Sequence, residues 1–70
     1  METLSERIKQ RRIELNLTQA RLAELSGTNQ QTVQQVESGK TKRPRYIVEL
    51  AQALNCDPLW LLYGKEKNAV

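Results

Sequence analysis

Thr18-Gln19-Ala20-Arg21-Leu22-Ala23-Glu24-Leu25-Ser26-Gly27 followed by Thr28-Asn29-Gln30-Gln31-Thr32-Val33-Gln34-Gln35-Val36-Glu37-Ser38 reads as two short helices meeting at a glycine. Thr18 is a good N-cap, because its hydroxyl can accept an orphan backbone N–H of the first turn. Leu22, Ala23 and Leu25 carry the apolar side of this helix, and Gly27 punctuates its end as a left-handed C-cap would. The next helix starts at Thr28 or Asn29, turns Val33 and Val36 inward and stops before Gly39. A tight Ser26-Gly27-Thr28 link between two helices is the layout of a helix-turn-helix. Taken alone it says little, since many small helical domains have such a corner.

The flanking sequence supplies three more helices. Thr3 and Glu6 stand at capping-box spacing, each able to satisfy the other's backbone N–H. Leu4, Ile8 and Leu15 then mark one face, with Ile13 beside it, in a first helix ending near Asn16. After the pair at 18–38 comes a basic loop, Lys40-Thr41-Lys42-Arg43-Pro44-Arg45, then a helix over about Tyr46 to Leu54. The last is short, with Asp57 as cap, Pro58 at the first helical position and Gly64 at its end. Strand-like alternation is almost absent. The pattern predicts an all-α fold, a compact five-helix domain over 1–64 with a flexible tail over 65–70.

Four features bear on function. Gln31, Gln34, Gln35 and Ser38 fall at i, i+3, i+4 and i+7 on the outward side of the third helix, with Asn29 and Gln30 at its start. An ordinary solvated face would carry Lys and Glu; this one is uncharged and amide-rich. A carboxamide sets a donor beside an acceptor, which matches the N6/N7 edge of adenine in a major groove. The first turns of the second and third helices hold no acid, although helix N-termini attract Asp and Glu. Such vacant ends, around Thr18, Gln19 and Asn29, can take an external phosphate on backbone N–H groups; the plainer alternative is that the Thr and Asn caps already suffice. The loop places Lys40, Lys42, Arg43 and Arg45, four cations in six residues, just beyond the amide stripe. Cations there release counterions from phosphates and add affinity without sequence information. Finally, Arg12 at i+4 from Ile8 and Glu37 at i+4 from Val33 each interrupt an inward face, which predicts a partly buried Arg12–Glu37 pair.

Composition excludes more than it selects. Seventy residues bury only roughly 60 per cent of the open chain's surface, leaving little room for an enclosed active site. The net charge is +3 and the pI about 9.4, mildly favouring a polyanionic partner. With no histidine, a single cysteine and no phosphate-cradling glycine motif, the chain is not expected to be an enzyme, to bind a metal or to need a cofactor. Cys56 is expected to pack as a small apolar residue. The free thiol, with no export signal or membrane-spanning run, points to a reducing cytoplasm and no membrane partner.

The residues also resemble a known family from about Thr3 to Gly64: the lambdoid-phage Cro proteins and repressor N-terminal domains of the 434 type. The carrying segments are Leu4-Ser5-Glu6-Arg7, Arg11-Arg12-Ile13, Thr18-Gln19, Leu22-Ala23, Gln30-Gln31, Glu37, Gly39, Thr41-Lys42-Arg43-Pro44-Arg45, Leu54-Asn55-Cys56-Asp57-Pro58 and Trp60-Leu61. The resemblance implies a repressor on double-stranded operator DNA, with base contacts by Gln30, Gln31 and Gln35. Gln34, at a position that varies in the family, lies on the same stripe. The resemblance further implies a phosphate near Gln19, the Arg12–Glu37 pair, backbone contacts by Lys42 and Arg43, and Arg45 reaching the narrowed minor groove. Arg12, Thr18, Asn29, Ser38 and Lys40 are further candidate backbone contacts. A homodimer formed near Pro58 and Trp60 on a near-palindromic operator is also implied, monomeric in dilute solution. The Leu59-Trp60-Leu61-Leu62-Tyr63 run fits either a small dimer patch or all-core packing. A complete Cro-type protein is favoured over the N-terminal domain of a longer repressor. Outside this class stand a helical protein-interaction module and, less well supported, an RNA binder, which would want more exposed aromatics.

Overall fold

The computed structural model describes residues 3–41 and 44–64. Among these there are five helices and no strand: α1 (Leu4–Glu14), α2 (Gln19–Ser26), α3 (Gln30–Glu37), α4 (Ile47–Ala53) and α5 (Pro58–Tyr63). No helix among them is long and apolar enough to cross a membrane. The expected tail lies outside the described residues.

Local chemistry sets the helix ends. Thr3 and Glu6 form the capping box: the Thr3 hydroxyl accepts from the Glu6 N–H at 3.3 Å, and the Thr3 N–H donates to the Glu6 carboxylate at 2.9 Å. Thr18, Asn29 and Asp57 cap α2, α3 and α5 with side-chain oxygens, as their positions predict. Gly27 ends α2 at φ 72°, in the left-handed region that costs glycine nothing. Asn16 and Asn55 follow α1 and α4 at φ 58° and 56°, a conformation asparagine tolerates better than most residues.

Helix α3 packs on α1 and α2, α2 on α4, α4 on α5 and α5 back on α1. Ile8, Leu22, Val33, Val36, Leu50, Leu54 and Leu61 are fully buried where these helices meet. Two apolar positions depart from the sequence pattern. Ile13 is 56% and Leu25 48% exposed, so neither belongs to the core. Ser26 is buried on α2 instead: its hydroxyl donates to the Leu22 carbonyl at 2.8 Å, which lets a small polar residue sit where the turn approaches closely. The apolar run of α5 divides between inside and outside, since six residues of helix cannot turn every side chain one way. Leu61 is buried, Trp60 and Leu62 are half-buried, and Leu59 and Tyr63 are exposed.

The slot beside Ile8 holds Arg7, only 5% exposed. Its Nε donates to the Leu61 carbonyl at 2.9 Å and its Nη2 to the Leu62 carbonyl at 3.0 Å, at the end of α5 where carbonyls have no helical partner. Gly64 ends α5 at φ 73°, and a Cβ there would lie 2.8 Å from Arg7 Nη1. Backbone conformation and the guanidinium therefore demand glycine together. Arg11 repeats the device one turn on, donating to the Leu54 carbonyl at 2.9 Å and the Asn55 carbonyl at 3.3 Å beyond α4.

Hydrogen bonds from charged groups contribute roughly 1.5–3 kcal/mol each, and a 70-residue domain holds only about 4–10 kcal/mol in total. Arg7→Met should therefore lower the free energy of unfolding by about 2–3 kcal/mol, read from the urea midpoint. Lys9→Ala, on the exposed side of α1, serves as control and should move the midpoint little.

Candidate nucleic-acid interface

Val33 and Val36 are buried and hold α3 down by one side. The opposite side, Gln30, Gln31, Gln34, Gln35 and Ser38, is exposed throughout. Gln31, Gln34, Gln35, Ser38 and Lys40 line one open depression of about 280 Å³. None of the four glutamine side chains makes a hydrogen bond among the described residues, so their amide donors and acceptors face outward uncommitted.

The starts of α2 and α3 have the same construction. Thr18 Oγ1 accepts the Arg21 N–H at 3.0 Å, and Asn29 Oδ1 accepts the Thr32 N–H at 2.8 Å. Neither first turn contains an acid. Each cap uses an acceptor and keeps its donor, the Thr18 O–H and the Asn29 NH2, for another group. The N–H groups of Gln19 and Ala20, and of Gln30 and Gln31, make no hydrogen bond among the described residues. Both ends are thus donor-rich and positively polarised, the chemistry that receives an anion. Ser38 differs, because its hydroxyl donates to the Gln35 carbonyl at 2.9 Å and its proton is engaged.

The Arg12–Glu37 pair forms as the sequence predicts. Nε donates to Glu37 Oε2 at 2.7 Å and Nη2 to Oε1 at 3.2 Å, with side-chain exposures of 13% and 5%. Nη1 donates to the Leu17 carbonyl at 2.8 Å. All three nitrogens are engaged, which leaves one N–H on each Nη for an acceptor outside the protein. Gln19 completes the cluster: its Nε2 donates to Glu37 Oε1 at 3.1 Å. The first residue of α2 is thereby tied to the last residue of α3, a link the sequence pattern does not reveal.

Beyond α3, Lys40 and Arg45 are exposed and Thr41 is half-buried. Pro44 is buried, returning the basic loop to the body of the domain. Lys42 and Arg43 lie outside the described residues. Pro58 and Trp60 are half-buried on α5, with Leu59 exposed 59% between them. Arg7 and Arg11 were not singled out from sequence; the visible signal was their i, i+4 spacing within the Leu4–Ile8–Leu15 stripe. Among the described residues no group of His, Cys, Asp and Glu could hold a metal ion.

Residues 8–61 match the family described as helix-turn-helix (HTH_3), and the chain belongs to that family. Similar proteins include the HTH-type transcriptional regulator PrtR of Pseudomonas aeruginosa, 38% identical over 91% of this chain and 25% of its own length. The HTH-type transcriptional regulator for conjugative element R391 of Providencia rettgeri is 41% identical over 91% of this chain and 30% of its own length. Escherichia coli DicA, another HTH-type transcriptional regulator, is 35% identical over 91% of this chain and 48% of its own length. The chain therefore spans about a quarter to a half of the curated relatives it matches. Among solved structures, the P22 c2 repressor protein in complex with synthetic operator 9T superposes with a TM-score of 0.86 at 32% identity, covering 93% of this chain and 100% of that one.

Because the ion pair is nearly buried, Glu37→Ala should cost about 3–5 kcal/mol by stranding the Arg12 charge, read by thermal or urea unfolding. The double variant Arg12→Met, Glu37→Leu should recover most of that loss. If the double variant is no better than the single one, the stranded charge is not the cause.

Proposed function

We propose that this chain is a sequence-specific double-stranded DNA-binding transcriptional repressor that lays α3 in the major groove of its operator. The observation that carries this reading is the outward amide face of α3, without a hydrogen-bond partner among the described residues and framed by two acid-free helix N-termini. Gln30, Gln31, Gln34 and Gln35 read base edges, where a carboxamide matches adenine N6/N7. Thr18, Gln19 and Asn29 receive phosphates with their free donors, and Arg12 adds its remaining N–H groups. Lys42 and Arg43 contact the backbone, and Arg45 reaches the minor groove between half-sites. Ser38 could join the backbone contacts only by giving up its bond to Gln35. The operator complex of the P22 c2 repressor, with nearly the whole chain superposed, supports this assignment, as do relatives named as transcriptional regulators.

The protein works as a homodimer on a near-palindromic site, pairing through the surface around Pro58, Leu59 and Trp60, and is monomeric in dilute solution. The exposed apolar area there is small, in keeping with a weak, transient interface. It acts in the bacterial cytoplasm and requires no cofactor. A Cro-type protein and the DNA-binding domain of a longer repressor would use this face identically. The longer repressor gains weight from relatives two to four times the length of the matched region.

Selection from random duplex DNA at near-physiological salt should recover a two-fold symmetric motif. Gln31→Ala should then relax preference at one base pair per half-site by about 1–3 kcal/mol while leaving random-sequence affinity nearly unchanged. Lys42→Ala should weaken every duplex alike and reduce the salt slope by about one. Equal losses on operator and random DNA for both variants would overturn this division of roles. A stable dimer in sedimentation at micromolar concentration would overturn the monomeric state.

A further inference from the structure

We propose that Lys40 reads bases, setting a guanine preference at the end of the half-site reached by the C-terminal end of α3; this rests on the reading of α3 as the major-groove helix. Sequence position alone assigns Lys40 to the flanking backbone with the other loop cations. The structure treats it differently. The Gln35 carbonyl accepts three donors, the Ser38 hydroxyl at 2.9 Å, the Lys40 N–H at 3.1 Å and the Thr41 N–H at 3.4 Å. Gathered on one oxygen, these bonds fold the chain back against the end of α3 instead of letting it run on. Lys40 consequently lines the same depression as Gln31, Gln34, Gln35 and Ser38.

Its chemistry complements theirs. Each glutamine presents a donor and an acceptor, whereas a lysine ammonium is donor-only, with three N–H groups on a flexible four-carbon stem. Among the described residues Lys40 is the one cation lining that depression, and the Ser38 hydroxyl beside it has its proton engaged. Arg11, Arg12 and Arg21 are each held by a carboxylate of this chain, but Lys40 has no ion-pair partner among the described residues. A free donor-only group beside an amide stripe matches the guanine edge, whose O6 and N7 are both acceptors, and is mismatched to the adenine N6 donor.

The test is selection from random duplex DNA with the 70-residue protein and its Lys40→Ala and Lys40→Arg variants. The wild type should recover a motif with a guanine in each half-site next to the positions whose preference Gln31→Ala and Gln35→Ala relax. Lys40→Ala should reduce the guanine preference there by about tenfold while preserving the preferences elsewhere, and Lys40→Arg should retain it. A Lys40→Ala motif identical to the wild type's, with all duplexes weakened alike, overturns the proposal and returns Lys40 to the backbone. So does a wild-type motif lacking that guanine. Failure of the wild type to recover any motif would instead remove the DNA-reading assignment on which the proposal rests.

Discussion

Three guanidinium groups on one side of α1 hold the ends of the four other helices. Arg7 closes the end of α5, Arg11 the end of α4, and Arg12 grips Glu37 at the end of α3. Through Glu37 the same cluster reaches Gln19 at the start of α2. A domain this small cannot secure five short helices by apolar contact alone, because short helices are marginal without tertiary packing and the core is thin. Arginine suits the task. Its planar fork supplies several donors in fixed geometry. The helix ends supply the matching acceptors, since their last carbonyls lack intrahelical partners.

This arrangement divides the polar residues into two populations. Arg7, Arg11, Arg12 and Glu37 are engaged with carboxylates or backbone carbonyls of the domain itself, or, for Glu37, with Arg12 and Gln19. The α3 amides are turned outward and make no side-chain hydrogen bond among the described residues. The second population depends on the first. The α3 amides can present a fixed pattern only if the helix does not rock, and the Arg12–Glu37–Gln19 cluster ties α3 to both α1 and α2. A buried pair of this kind adds little net stability against an apolar alternative. Its use here is geometric: it sets the angle between the helix that would meet phosphate and the helix that would meet bases.

The likeness to the P22 c2 repressor covers every residue of that chain, so the matched unit is the whole of the domain seen there. The curated regulators are longer, and the region they share with this chain is a quarter to a half of their length. What the relatives share with this chain is therefore the helix-turn-helix unit.

Much of this was legible in the residues themselves. Caps at Thr3, Thr18, Asn29 and Asp57, stops at Gly27 and Gly64, and the valine side of α3 are local matters of hydrogen bonding and periodicity. The helices accordingly appear where the sequence places them, and the amide stripe faces out because Val33 and Val36 face in. The Arg12–Glu37 pair was legible too, because a charge inside an apolar stripe needs an opposite charge nearby. Ile13 and Leu25 misled, since apolar spacing within one helix does not say whether a neighbouring helix arrives to cover it. Only the tertiary structure decided the burial of Arg7, the tie from Gln19 to Glu37, and the return of Lys40 onto the face of α3. Each joins groups far apart in sequence or turns on one carbonyl accepting several donors, and no periodicity encodes such a meeting.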